Sequence, residues 1–130
     1  VYAETRYAQA RKRTEELILV LEKGDLETFV DLCEKEALEL HALMMMSDPY
    51  FILLKSNTLK IIQDIRHFRK DTGIPLAFTC DAGPNVHLMY PAQSAQTVEN
   101  FIEEELKTYC EDRRVIWDSC GEGPLLRMVE

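Results

Sequence analysis

The sequence lacks several features that would place it in a familiar functional class. None of its 130 residues belongs to an apolar run of about 18 residues, which a membrane-spanning helix requires. Its five glycines and five prolines are scattered, and no glycine-rich phosphate loop of the P-loop kind occurs. We therefore expect no membrane association and no self-contained nucleotide-binding domain.

The four cysteines are spaced in a way that excludes the common metal and redox motifs. No two of them stand at Cys-x-x-Cys spacing, and none stands with a histidine at zinc-finger spacing. They are Cys33, Cys80, Cys110 and Cys120, and each lies within or beside an apolar run. We predict no metal site, and we expect buried free thiols of the kind found in cytoplasmic proteins.

Positive charge is also scarce in this sequence. Fifteen lysines and arginines stand against 23 aspartates and glutamates, which gives a net charge of −8. Because an acidic surface repels a phosphate backbone, nucleic acid is not an expected partner. A phosphorylated ligand needs lysine, arginine, Mg²⁺ or helix N-termini around it. The sequence offers few of those groups.

What the sequence does contain is a helix-rich pattern with short apolar strands. Apolar spacing predicts helices over 5–23, 26–45, 58–71 and 96–109, and Asp25 is a good N-cap for the second. Strands are predicted over 76–80, 86–90, 115–120 and 125–129, and the apolar run 50–54 is expected to be buried. The order predicts one α+β domain over residues 1–130, with helices packed on one face of a mainly antiparallel four-stranded sheet.

The most informative stretch is the turn between the first two predicted strands. Residues 81–85 read Asp-Ala-Gly-Pro-Asn, in which Pro84 has no backbone donor and Gly83 can adopt a positive φ. The turn places the carboxylate of Asp81 at the edge of the sheet. Ala82 and Gly83 follow with almost no side chain, so a ligand could approach their backbone N–H groups closely. Taken alone, an Asp-x-Gly sequence is most often an ordinary turn.

The longer stretch 79–86, Thr-Cys-Asp-Ala-Gly-Pro-Asn-Val, resembles the Thr-x-Asp-Ala-Gly-Pro-Asn signature of mevalonate diphosphate decarboxylases, which belong to the GHMP kinase superfamily. Residues 40–42, Leu-His-Ala, are similar to a helical motif of that family, and residues 49–53 are similar to its proline-aromatic stretch. Residues 121–124 resemble the glycine-rich end of its last strands. The resemblance covers nearly all of the sequence but only the second half of such an enzyme.

The resemblance implies a fold, a reaction and site residues. The fold is that of the GHMP kinase C-terminal domain. The reaction is ATP-dependent decarboxylation of mevalonate 5-diphosphate, a small diphosphate, to isopentenyl diphosphate in isoprenoid biosynthesis. Asp81 is the implied catalytic carboxylate, and Ala82, Gly83 and His41 are the implied substrate-binding residues. ATP and Mg²⁺ would be bound mainly by an absent N-terminal half, so the fragment alone is expected to be inactive. A cytoplasmic homodimer is implied as well.

The sequence departs from the family pattern at two positions. Leu43 stands where the family commonly has threonine, and Pro49 stands alone where two prolines are common.

Two alternative functions stay open. The domain could instead come from a GHMP-superfamily kinase, or from a decarboxylase of another mevalonate phosphate. It could also be a noncatalytic α+β binding or dimerisation module, in which Asp81 is only a turn residue.

Overall fold

The structure is a computed structural model that describes residues 2–123, with side chains described from Glu4 onward. Its elements, in chain order, are α1 (Tyr2–Lys23), α2 (Leu26–Met45), α3 (Ser56–Thr72), β1 (Ala77–Thr79), β2 (His87–Met89) and α4 (Ala95–Phe101). Beyond α4 the chain continues as a π-helical turn, Ile102–Leu106, and a 3₁₀ turn, Lys107–Tyr109. The four predicted helices are therefore confirmed.

The first two helices form a hairpin whose bend is determined by the local sequence. Gly24 has a φ of 68°, a left-handed conformation that glycine adopts without strain. Asp25 then caps α2, because its side chain accepts a hydrogen bond from the N–H of Thr28 at 3.1 Å. Across the hairpin, Arg13 of α1 forms ion pairs with Glu36 and Glu39 of α2 at 2.6 and 2.9 Å. These contacts align the two helices.

The two strands form an antiparallel hairpin that connects the helices to the candidate site. Ala77 pairs with Met89, Phe78 with Leu88, and Thr79 with His87. Side chains alternate between the faces of a strand, so Phe78 and Leu88 share one face. Thr79 and Met89 lie on the other face. The register fixes where the chain leaves β1, two residues before Asp81.

The main core lies on the Phe78 face of the hairpin. Phe78 and Leu76 are completely buried there. The same cluster of buried residues includes Ala37 of α2 and Cys80, which follows β1. It is completed by three isoleucines of α3 and by residues of α4 and the turn after it: Ile61, Ile62, Ile65, Val98, Phe101, Ile102 and Leu106. Phe68 and Phe101 stack beside it, with ring centroids 4.2 Å apart. This core holds β1 against α3 and α4.

The α+β class is confirmed, but the sheet differs from the predicted one. The described residues contain a two-stranded sheet. Residues 115–120, predicted as a strand, form none, and Ile116 is 87% exposed. β-branched and aromatic residues favour a strand only where a neighbouring strand completes the hydrogen bonds. The predicted strand 125–129 lies outside the described residues.

The helices also lie on both faces of the hairpin, so the prediction of a single covered face is wrong. Thr79 and Met89 line a cavity of about 250 Å³, and the rest of its lining comes from α1 and α2. The physical reason lies in β1 itself. Ala77 and Phe78 point to opposite faces and are both completely buried. A strand buried on both faces reads as a continuous apolar run rather than an alternating one.

The apolar run 50–54 is not buried as expected. Tyr50, Phe51 and Ile52 are between 52% and 69% exposed. The N–H of Phe51 donates to the carbonyl of Met44 at 3.0 Å, which turns the segment back along the end of α2. The sequence of an apolar run without a periodic pattern does not indicate which element of the fold covers the run. The prediction therefore fails for these three residues.

All four cysteines are free, and their burial differs. Cys80 is buried, and this burial raises the pKa of its thiol. Cys33 and Cys110 are half-buried, whereas Cys120 is exposed, contrary to the prediction.

None of the helices described between residues 2 and 123 has both the length and the apolar content that a membrane span requires.

Candidate active site

Asp81 lies two residues after the end of β1, in the loop that leads to β2. Residues 82–84 bend the chain, and the side chain of Asp81 is 92% exposed. Asp81 therefore stands beyond the end of the strand with its carboxylate open to solvent. A carboxylate in this place is accessible to a ligand.

His41 holds the start of this loop from beneath. It lies near the end of α2, it is 2% exposed, and its Nε2 is 2.9 Å from the backbone oxygen of Asp81. A carbonyl oxygen only accepts, so Nε2 must carry the proton and donate it. His41 and Asp81, which belong to two separate motifs of the family resemblance, thus lie in direct contact. The substrate-binding role that the resemblance implies for His41 does not fit this burial, because the ring is already used by the loop backbone.

Thr58 holds the far end of the same loop. It lies in the first turn of α3 and is 3% exposed. Its hydroxyl donates to the carbonyl of Pro84 at 2.8 Å and accepts the N–H of Lys55 at 3.3 Å. The loop backbone is thus bound at two carbonyls by side chains from two helices. The sequence analysis missed Thr58, since its only local signal is a threonine at a helix start.

Within the loop, the N–H of Gly83 donates to the carbonyl of Asp81 at 2.7 Å, which closes a tight turn. Gly83 does not use the positive φ that glycine can adopt. A Cβ placed on it would meet no atom within 4 Å. Neither backbone strain nor packing in the described part of the chain therefore requires glycine here. The space beside Gly83 is open to a ligand.

His87 is a second neighbour of Asp81 that the sequence analysis did not single out. Its Nε2 is 3.7 Å from the Asp81 carboxylate, and its side chain is 57% exposed. The strand register explains the contact, because His87 pairs with Thr79, two residues before Asp81 on the same face. An exposed pair of this kind contributes little to stability. A protonated His87 would nevertheless add a positive charge beside the carboxylate.

These features define a class of protein: an α+β domain that presents a carboxylate on a hairpin loop fixed by two helices. Such a carboxylate can orient a hydroxyl and accept its proton. It can also stabilise positive charge that develops nearby. The two following residues, Ala82 and Gly83, leave room for a ligand.

Comparison with known proteins assigns the family. Residues 2–124 match the family model described as the mevalonate 5-diphosphate decarboxylase C-terminal domain. The chain therefore belongs to this family, and the resemblance seen in its motifs is confirmed. Diphosphomevalonate decarboxylase from Debaryomyces hansenii is 33% identical over 88 residues, which make up 67% of this chain and 23% of that protein.

Solved structures share the fold. The mevalonate diphosphate decarboxylase from Legionella pneumophila has a TM-score of 0.74 at 31% identity, over 79% of this chain and 33% of that one. The enzyme from Enterococcus faecalis has a TM-score of 0.75 at 21% identity, over 84% of this chain and 34% of that one. Mevalonate diphosphate mediates ATP binding in the latter protein. The present chain thus spans about a third of these structures, and 23% of the Debaryomyces protein.

We expect His41→Leu to reduce the free energy of unfolding by about 0.5–1.5 kcal/mol, the usual net contribution of one hydrogen bond. His41→Gln should lose less, because its amide can donate from nearly the same place. Urea denaturation of the variants measures the difference. His67→Leu, at an exposed histidine of α3, is the matched control and should change little. Equal losses for His41→Leu and His67→Leu would show that the bond to Asp81 does not stabilise the loop.

Proposed function

We propose that this chain is the carboxyl-terminal domain of an ATP-dependent enzyme that converts mevalonate 5-diphosphate to isopentenyl diphosphate. One observation carries the proposal. In a chain of this family, an exposed carboxylate, Asp81, stands on a loop whose backbone is bound by His41 and Thr58. Family membership supports the reaction, and the geometry supports Asp81 as the residue that takes part in it.

In this proposal, Asp81 acts on the tertiary 3-hydroxyl of the substrate. A tertiary alcohol is a poor nucleophile, and a carboxylate in hydrogen-bond reach orients it and takes its proton as the new P–O bond forms. The γ-phosphoryl group of ATP is transferred, and ADP leaves. The new phosphate then departs with the electron pair of its C–O bond. CO₂ departs as well, and the electron pair of the broken C–C bond forms the alkene. Asp81 passes its proton to solvent as the phosphate departs, and its restored negative charge then favours the positive charge that develops at C3.

Ala82 and Gly83 are proposed to form the wall beside the reacting carbon. Ala82 is exposed, and the space next to Gly83 is open. A larger side chain at either position would occupy the space that the substrate needs. His41 is proposed to act through the backbone of Asp81 rather than on the substrate, since its side chain is buried.

ATP and Mg²⁺ are proposed to be bound mainly by the rest of the enzyme, and the domain alone to be inactive. Three observations support this. The chain carries a net charge of −8, it spans about a third of the solved relatives, and the Asp81 carboxylate is 92% exposed. A solved relative is a complex with MVAPP, AMPPCP and magnesium. Between residues 2 and 123, no cluster of three or more His, Cys, Asp or Glu side chains could hold a metal ion. The described residues therefore offer no dedicated Mg²⁺ site of this kind.

A homodimer and a cytoplasmic location complete the proposal. The exposed apolar side chains of Ile116 and Trp117 are consistent with a surface that a partner covers. Four free cysteines are consistent with a reducing compartment.

The proposal is tested by offering the full-length protein Mg-ATP with mevalonate 5-diphosphate, mevalonate 5-phosphate or mevalonate. We expect turnover with the diphosphate and little with the other two. Faster turnover of the 5-phosphate would assign the domain to an enzyme for another mevalonate phosphate. Transfer of phosphate without release of CO₂ would assign it to a kinase.

A further inference from the structure

We propose that Thr58 is a positioning residue for Asp81 and acts through the carbonyl of Pro84. This inference rests on the proposed function, since it concerns the direction of the carboxylate during the reaction. Thr58 does not touch the substrate, because it is 3% exposed and lies beneath the loop. Its role would be to fix the backbone from which Asp81 projects.

The direction of both Thr58 hydrogen bonds is determined by its partners. The Lys55 N–H is a donor, so the hydroxyl oxygen accepts from it at 3.3 Å. The single hydroxyl proton is then free to be donated to the carbonyl of Pro84 at 2.8 Å. The hydroxyl therefore connects the rigid first turn of α3 to the loop, across 26 residues of sequence. Replacing Thr58 by valine, which has the same shape but no hydroxyl proton, would remove this connection.

The loop that follows the Asp81 carboxylate is attached at both of its ends. His41 binds the carbonyl of Asp81, where the chain leaves β1, and Thr58 binds the carbonyl of Pro84, three residues later. If the Thr58 attachment is lost, the peptide units from Ala82 to Pro84 are free to rotate. The N–H of Gly83, which donates to the Asp81 carbonyl at 2.7 Å, moves with them. The peptide that follows Asp81, and with it the backbone from which the carboxylate projects, is then less firmly fixed. Reacting groups must be held within a narrow geometry, and a displacement of about 1 Å can reduce the rate on the order of 10²-fold.

The chain contains a matched control for this hydroxyl. Thr72, at the other end of α3, donates to the carbonyl of Phe68 at 2.7 Å and accepts the N–H of Ile74 at 3.2 Å. Like Thr58, it donates to one carbonyl and accepts one N–H, but it is exposed and both its partners are local. It lies at the end of α3 opposite the Asp81 loop, so Thr72→Val removes a hydroxyl with two hydrogen bonds without touching the proposed site.

The test uses the full-length enzyme with Thr58→Val, Thr58→Ala, Thr58→Ser and Thr72→Val. We expect Thr58→Val and Thr58→Ala to lower kcat on the order of 10²-fold with KM little changed. Thr58→Ser keeps the hydroxyl and should restore most of the activity, and Thr72→Val should remain close to wild type. Thermal melts identify the folded variants. If neither Val nor Ala folds at position 58, the residue is structural and the inference is wrong.

A double-mutant comparison separates positioning from a general effect on stability. If Thr58 acts through Asp81, Thr58→Val should cause no further loss of kcat in an Asp81→Asn background. Two results would overturn this inference alone. One is an equal loss of kcat from Thr58→Val in both backgrounds. The other is a wild-type kcat for Thr58→Val when the Asp81→Asn enzyme is inactive. An active Asp81→Asn enzyme would instead overturn the proposed function.

Discussion

Asp81→Asn is expected to lower kcat by about 10²- to 10⁴-fold, the range that general-base catalysis alone contributes. Loss of charge stabilisation at C3 would add to this. KM should change little, because Asp81 acts as the chemistry proceeds rather than in binding. Steady-state release of CO₂ and phosphate by the full-length enzyme measures the effect.

The substitution separates catalysis from folding because of how the loop is held. The His41 and Gly83 hydrogen bonds go to the backbone oxygen of Asp81, and its side chain is 92% exposed. Asparagine keeps the shape of aspartate and is a good turn residue. Asp71→Asn removes the same charge at an exposed site at the end of α3 and should leave kcat unchanged. A folded Asp81→Asn enzyme as active as Asp71→Asn would show that Asp81 is only a turn residue.

Phe78→Ala should cause the largest loss of stability in the domain, about 3–5 kcal/mol of unfolding free energy. Phe78 is completely buried, and it lies in β1 among the core residues of α3 and α4. Truncation removes apolar contacts and leaves a cavity that the well-packed neighbours cannot fill. Chemical denaturation followed by circular dichroism measures the change.

The control for Phe78 is the exposed Phe51, which is 52% accessible to solvent. Phe51→Ala removes the same atoms outside the core, and its effect should stay within about 0.5 kcal/mol. Similar losses for the two variants would mean that the core is not centred on β1. A large loss for Phe51→Ala alone would mean that the segment 50–52 is covered by another surface in solution.

The helices could be predicted from the sequence because their signals are local. Apolar residues at helical spacing, the Gly24–Asp25 bend and the Thr72–Gly73 end defined α1 to α3 to within a few residues. A helix forms its backbone hydrogen bonds within its own segment, so its sequence contains most of what determines it. The described α4 region also follows the prediction, although it changes to π and 3₁₀ geometry after Phe101.

The sheet and the surfaces could not be predicted in the same way, because they depend on distant partners. Residues 115–120 have strand-forming side chains but form no strand in the described structure. Tyr50, Phe51 and Ile52 are apolar but exposed. In both segments, composition favours burial or pairing, and only the position of other elements decides whether it occurs.

The candidate site was partly predictable, because some of its signals are local in the sequence and others depend on distant contacts. The Asp-Ala-Gly-Pro-Asn sequence identified Asp81, and a family motif placed His41 near it. The sequence did not reveal that His41 is buried beneath the loop, nor that Thr58 binds its other end. Those contacts join residues that are 40 and 26 positions apart, and no local pattern encodes them.

The ratio of CO₂ to ADP released by the full-length protein, with Mg-ATP and mevalonate 5-diphosphate, tests the central claim most directly. The proposed reaction consumes one ATP for each carboxylate lost, so we predict equal amounts of CO₂, ADP and phosphate. Both release rates should fall together in Asp81→Asn. ADP formation without CO₂, or an equal rate of CO₂ release from Asp81→Asn, would contradict the account.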